Sequence, residues 1–239
     1  MRLRHETIED HAAVRGTKRM SAAPGQHRDN HAGCCADGST AGPARACIGL
    51  NIRRDGRLDD PRFYVITGAS GAGKSTLVNA LGELGYCVVP EIALTIVQEQ
   101  EQRGGNLYPW TDLQAFMEAV LVRNIQAYGS ARAMRSPVFF DRGLPECLAH
   151  MRLLGLRIEP GLAAEAARRR YAGTVFVAEP WPDIYVCDRW RRAPFERAAR
   201  SFEPTVAAYI EDGYRLRTIP QRSVRERLAF VLETVRADT

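Results

Sequence analysis

The chain has 239 residues, 45% of them hydrophobic, with 33 Lys and Arg against 28 Asp and Glu for a net charge of +5. That suffices to pack one domain, and no apolar run approaches the ~20 residues a membrane-spanning helix needs. The positive surplus is dilute, ten basic against eight acidic residues over 1–60 and 23 against 20 over 61–239, which argues against a basic nucleic-acid track.

Residues 1–60 are rich in Ala, Gly, Arg and Asp, hold four of the five histidines and lack apolar periodicity. They read as a disordered leader, with residues 61–239 as the folded domain. The opening Met1-Arg-Leu-Arg-His-Glu-Thr7 is charged and has no apolar core, so no secretory signal is expected. His27, His31, Cys34 and Cys35 match no common zinc spacing, and a solvated tail is the simpler reading. Six cysteines without framework spacing point to a reducing cytoplasm.

Beyond Arg62 short apolar runs alternate with helical periodicity. Strands are expected at 63–67, 86–89, 137–140, 173–177 and 214–218. Helices are expected at 74–84, 91–103, 112–130, 144–154, 161–170, 194–212 and 223–236. Gly85 offers a stop for the first helix, Asp112 a cap for the third, and Pro145 a tolerated first-turn proline in the fourth. Ser223 followed by Glu226 has capping-box spacing. The alternation predicts an α/β fold: a mainly parallel five-stranded sheet between two helical layers.

The first strand and helix enclose Gly68-Ala69-Ser70-Gly71-Ala72-Gly73-Lys74-Ser75, followed by Thr76, which fits the phosphate-loop pattern G-x-x-x-x-G-K-[ST]. Of the basic residues only Lys18 and Lys74 are lysine. Elsewhere arginine supplies positive charge, and at 74 a compact ammonium is kept that can lie along a triphosphate. Gly71 and Gly73 free the backbone so that successive N–H groups point inward at phosphate oxygens, and the helix start adds its own. Lys74 is expected on the β- and γ-phosphates and the Ser75 hydroxyl on Mg²⁺. ATP and Mg²⁺ are the expected cofactors, since no N-K-x-D guanine element occurs.

Two further strands end in carboxylates. Val138-Phe-Phe-Asp141 should bring Asp141 to the phosphate loop, where it holds the Mg²⁺ shell or caps the next helix. Arg142 reaches a substrate phosphate or hydroxyl, or makes an ordinary ion pair. Val88-Val-Pro-Glu91 ends at the same edge, with Glu91 as a substrate acceptor, a general base, or a residue favouring the helix dipole. Arg189, Arg191 and Arg192 form a second basic cluster, read as a mobile lid over the γ-phosphate or a solvated face, with Glu179-Pro-Trp-Pro-Asp183 as its hinge.

These motifs together resemble the ribosylnicotinamide-kinase-like branch of P-loop proteins, often labelled AAA-domain ATPases. That branch includes the kinase domain of the bacterial NAD-biosynthesis regulator and a GTP-binding photoreceptor-trafficking protein. The resemblance covers 62–237 and rests on the loop at 68–76, Val89-Pro-Glu91, Phe139-Phe-Asp-Arg-Gly143, Trp181-Pro-Asp-Ile-Tyr185, Asp188 with Arg191-Arg192 and Phe195, Gly213-Tyr214, and Ile219-Pro220 before Ser223-Val224. It implies a nucleoside-kinase-like fold, Asp141 and Glu91 at the acceptor side, Arg191 and Arg192 in the lid, and Ile219-Pro220 near the base. The sensor residues of ring-forming AAA machines have no counterpart, so no hexameric motor is expected.

The leading functional expectation is a Mg²⁺-dependent kinase that moves the γ-phosphate of ATP to a hydroxyl of a small, nucleoside-like molecule. Lys74, Asp141, Glu91, Arg191 and Arg192 would act in catalysis, and Glu91, Asp141 and Arg142 at the acceptor. The alternative is a nucleotide-dependent switch, hydrolysing ATP or GTP slowly and signalling to a protein partner.

Overall fold

The computed structural model describes residues 57–187 and 193–238. Most of the expected leader, including His27, His31, Cys34 and Cys35, lies outside the described residues, as does the arginine cluster at 189–192.

The main sheet has the order β3-β4-β2-β6-β7, where β2 is Phe63–Gly68, β3 Cys87–Val89, β4 Val138–Asp141, β6 Thr174–Ala178 and β7 Arg215–Thr218. All four pairings are parallel. Parallel strands need crossovers, and those crossovers cover both faces of the sheet. That explains why β2, β4 and β6 are buried along their whole length.

Alternation along β2 divides the core. Phe63 and Val65 face a cluster with Ile96 of α2 (Ile92–Arg103), Leu121 and Tyr128 of α3 (Leu113–Ala131), Met151 of α4 (Leu144–Leu153), Ala166 of α5 (Pro160–Ala167) and Tyr209 of α7 (Phe202–Glu211). Tyr64 and Ile66 face Leu77 and Leu81 of α1 (Lys74–Glu83) and Val231 and Val235 of α8 (Val224–Asp238). Successive side chains of a strand point to opposite faces, so the result is a three-layer α/β/α sandwich.

Local signals behave as the sequence suggests. The Ala115 N–H donates to Asp112 Oδ1 at 2.9 Å, capping α3. Ser223 and Glu226 exchange capping-box bonds at the start of α8. Gly85 closes α1 in the left-handed region with φ 87°.

Three expectations are corrected. The helix expected over 161–170 ends at Ala167, because Arg169–Arg170 form β5 and pair in parallel with β1, Leu58–Asp59. The Tyr128 hydroxyl lies 2.8 Å from the Leu58 carbonyl and 2.6 Å from that of Arg170, pinning this small ladder to α3. Residues 57–60, counted with the leader, are therefore tied to the domain. The helix expected over 194–212 is two, α6 (Phe195–Ala199) and α7, broken at Arg200–Ser201. Pro204 accounts for the break: it has no N–H for a continuous helix, but sits in the first turn of α7, where that donor is dispensable.

Candidate active site

The site lies at the carboxyl edge of the sheet. Gly68 leaves β2 at φ 124°, and a Cβ there would stand 2.0 Å from the Ala178 carbonyl oxygen of the neighbouring strand. Only glycine lets the loop depart so close to β6. Gly73, with φ 72°, takes the left-handed conformation that turns the loop into α1.

Lys74 is buried, and its Nζ donates to the Ala69 carbonyl at 2.6 Å, so the loop closes on its own ammonium. Burial, and secondarily the nearby Arg142 guanidinium, pulls the Lys74 pKa down to about 8. Ser75 Oγ donates to Asp141 Oδ2 at 2.7 Å. Asp141 ends β4 in register with Ile66 of β2, which carries it beside the loop. Its Oδ1 is buried and lacks a hydrogen-bond partner. Burial, then the Glu91 carboxylate, pushes the Asp141 pKa up to about 6.

Arg142 is the one non-glycine residue at positive φ among the described residues, at 75°. Such a backbone costs roughly 1–2 kcal/mol, and two carboxylates offset it. Its Nη1 donates to Glu146 Oε2 at 2.8 Å and its Nε to Glu91 Oε1 at 3.2 Å. Glu146 anchors this arrangement from the first turn of α4. It also accepts from Thr67 Oγ1 at 2.9 Å, the Gly143 N–H at 3.0 Å and the Tyr209 hydroxyl at 3.0 Å. The one sequence signal for Glu146 is its position three residues after Gly143, the carboxylate half of a capping box, which does not by itself mark a site residue.

Above the loop opens a cavity of about 650 Å³, lined by loop residues including Ser70, Gly73 and Thr76, by Glu91, by Trp181, Ile184 and Val186, and by Arg222–Val224 and Arg227. Its size suits a nucleotide. Trp181 leads into a single 3₁₀ turn at Pro182–Ile184, which overlaps the end of the expected hinge at 179–183. Ile219 is buried in the core between α1 and α8, and the cavity wall begins three residues later at Arg222. Arg227, unnoticed among many arginines in the sequence, is 3% exposed, and its Nη2 donates to the Ala72 and Gly73 carbonyls at 3.1 and 3.3 Å. Thus the structure brings Lys74, Ser75, Asp141, Arg142 and Glu91 close together, with Glu146 and Arg227 beside them. Arg189, Arg191 and Arg192 lie outside the described residues.

The fold and loop place this chain among known proteins. The family model described as "AAA domain" matches residues 63–227, more than half the chain. The chain belongs to this family. This AAA domain has the kinase-like P-loop fold. A deoxyadenosine kinase from M. mycoides, solved with the products dCMP and dCDP, aligns over 73% of this chain and 99% of its own, with TM-score 0.54 and 14% identity. NadR protein in complex with NR aligns over 75% of this chain with TM-score 0.55 and 16% identity, but over only 52% of its own length. No curated protein matches by sequence. Among the described residues no helix is long and apolar enough to cross a membrane, and no cluster of His, Cys, Asp and Glu could by itself hold a metal ion.

Proposed function

We propose that this AAA domain is a Mg²⁺-dependent kinase that transfers the γ-phosphate of ATP to a hydroxyl of a small, nucleoside-like acceptor. The observation that carries this reading is the Ser75–Asp141 contact at 2.7 Å, directly beside Lys74, where Lys74, Ser75 and Glu91 all line one cavity. The fold shared with a deoxyadenosine kinase supports it.

The donor set fits Mg²⁺. A hydroxyl and a buried carboxylate with one unpartnered oxygen are hard oxygen ligands. When bound, the ion would neutralise charge on the β- and γ-phosphate oxygens. Ser75 and Asp141 would hold it, and Lys74 would exchange the Ala69 carbonyl for phosphate oxygens. Glu91 takes the proton of the acceptor hydroxyl as that oxygen bonds to the γ-phosphorus. The bond from phosphorus to the β-phosphate oxygen breaks in the same displacement, and ADP leaves. Arg142, held by Glu146, steadies the acceptor near Glu91. Arg191 and Arg192 are assigned to closing over the transferring group.

The test is ATP consumption measured across a panel of nucleosides and hydroxylated vitamins. Stimulation by one class of acceptor, lost by a factor of about 10²–10³ in Lys74→Ala with its ligand-free melting temperature maintained, is the expected result. Uniform slow hydrolysis regardless of acceptor would instead identify a nucleotide switch.

A further inference from the structure

Most cations at this site have anions near them. Arg142 touches two carboxylates, and Lys74 has Asp141 and Glu91 nearby. Arg227 does not. It lines the cavity from α8, yet no carboxylate among the described residues pairs with it, and its Nε is buried without a hydrogen-bond partner. Its contacts are neutral: two loop carbonyls through Nη2, and the Trp181 ring 5.8 Å from its Cζ. Desolvation alone pulls its pKa below the ordinary arginine range.

A buried, uncompensated cation is costly, and the carbonyl bonds repay only part of that cost. The wall it occupies explains a further feature of the loop. A Cβ on Gly73 would meet Arg227 Nη1 at 2.7 Å, so Gly73 serves the close approach of the guanidinium as well as the turn. Arg227 is thus packed against the residue before Lys74, with charge and an Nε–H donor to spare. No anion among the described residues pairs with it, whereas one entering the cavity would reach it.

We infer that Arg227 is a second cationic ligand of the nucleotide's phosphate chain: it braces the loop carbonyls through Nη2 and offers its uncompensated charge to the bound phosphates. The inference rests on the cavity being the nucleotide site. It adds a residue from the far end of the domain to a phosphate site otherwise built around Lys74.

The test compares the affinities of Mg²⁺–ATP and adenosine, by calorimetry, in the wild-type chain, Arg227→Met and Arg227→Lys. Methionine keeps the apolar stem and removes the charge. ATP affinity should fall at least about tenfold in Arg227→Met, as expected for losing a charge-assisted contact, while adenosine affinity changes less than about threefold. Arg227→Lys should recover part of the difference, since a point charge still attracts phosphate. A wild-type ATP-to-adenosine ratio in Arg227→Met, whatever its melting temperature, would overturn the inference and leave Arg227 as a brace for the loop. A wild-type chain that prefers ATP no more than adenosine would overturn it differently, by removing the nucleotide reading of the cavity itself.

Discussion

The two flanks of the phosphate loop handle charge in opposite ways. On the side of β3 and β4, Arg142 is interlocked with Glu91 and Glu146, and its strained backbone is held between these two carboxylates. On the side of α8, Arg227 meets, among the described residues, neutral carbonyls and an aromatic ring but no carboxylate. The first flank is organised before any ligand arrives, because Arg142 and its two carboxylates satisfy one another. The second stays electrostatically incomplete until an anion binds. In the proposed reaction, preorganisation would suit the flank that positions a reacting hydroxyl, and a waiting cation the one that captures a phosphate chain.

The contrast can be broken most forcefully at Glu146. Its carboxylate accepts bonds from Thr67, Arg142, Gly143 and Tyr209. Glu146→Ala strands those donors and should destabilise the domain by about 3–5 kcal/mol, while Glu146→Gln, which keeps an acceptor, should cost less. Urea unfolding measures both, and an unchanged midpoint for Glu146→Ala would show that the preorganised flank is not anchored there.

A smaller effect of opposite sign is expected at Asp141. Its folded pKa of about 6 stands above the ordinary 3.8, so the buried carboxylate costs stability above pH 6, progressively less between pH 6 and 4, and nothing below. Asp141→Asn should therefore stabilise the ligand-free chain near pH 7 by on the order of 2 kcal/mol, and this gain should vanish at pH 4. The same variant should lose the Mg²⁺ dependence of nucleotide binding. Destabilisation at pH 7 would mean that Asp141 is structural.

The mildest probe is pH itself. Because the Lys74 pKa is lowered to about 8 from 10.5, the unfolded chain holds the extra proton between those values, and ligand-free stability should rise over that window. Nucleotide affinity should fall over the same window, by about tenfold per unit once Lys74 is neutral. Titration by calorimetry from pH 7 to 10 checks this, and Lys74→Ala should abolish the dependence.

Much of this was legible in the sequence. The strands around Phe63 and Val138 announced themselves as continuous apolar runs, because a parallel sheet buries both faces. The loop at 68–75 was readable because phosphate binding restricts residue choice position by position. Asp112 and the Ser223–Glu226 pair capped helices as their spacing implied. The break at Ser201 was harder to see, since the periodicity runs through it and only Pro204 marks the place. The pairing of Leu58–Asp59 with Arg169–Arg170 had no local signal, because two residues carry no period.

Chain order and residue pattern alone determined the alternation of strands and helices, the phosphate loop, and the arrival of Glu91 and Asp141 at one edge. Each follows from local rules: burial on two faces, glycine geometry, and the crossover that returns every strand in the same direction. Tertiary structure alone decided that Glu146 would hold Arg142 in a left-handed backbone, and that Arg227, more than 150 residues on from Gly73, would press against the phosphate loop without a counter-charge among the described residues. Contacts between distant segments depend on how helices pack across the sheet, and an arginine's role depends on which anion it lacks.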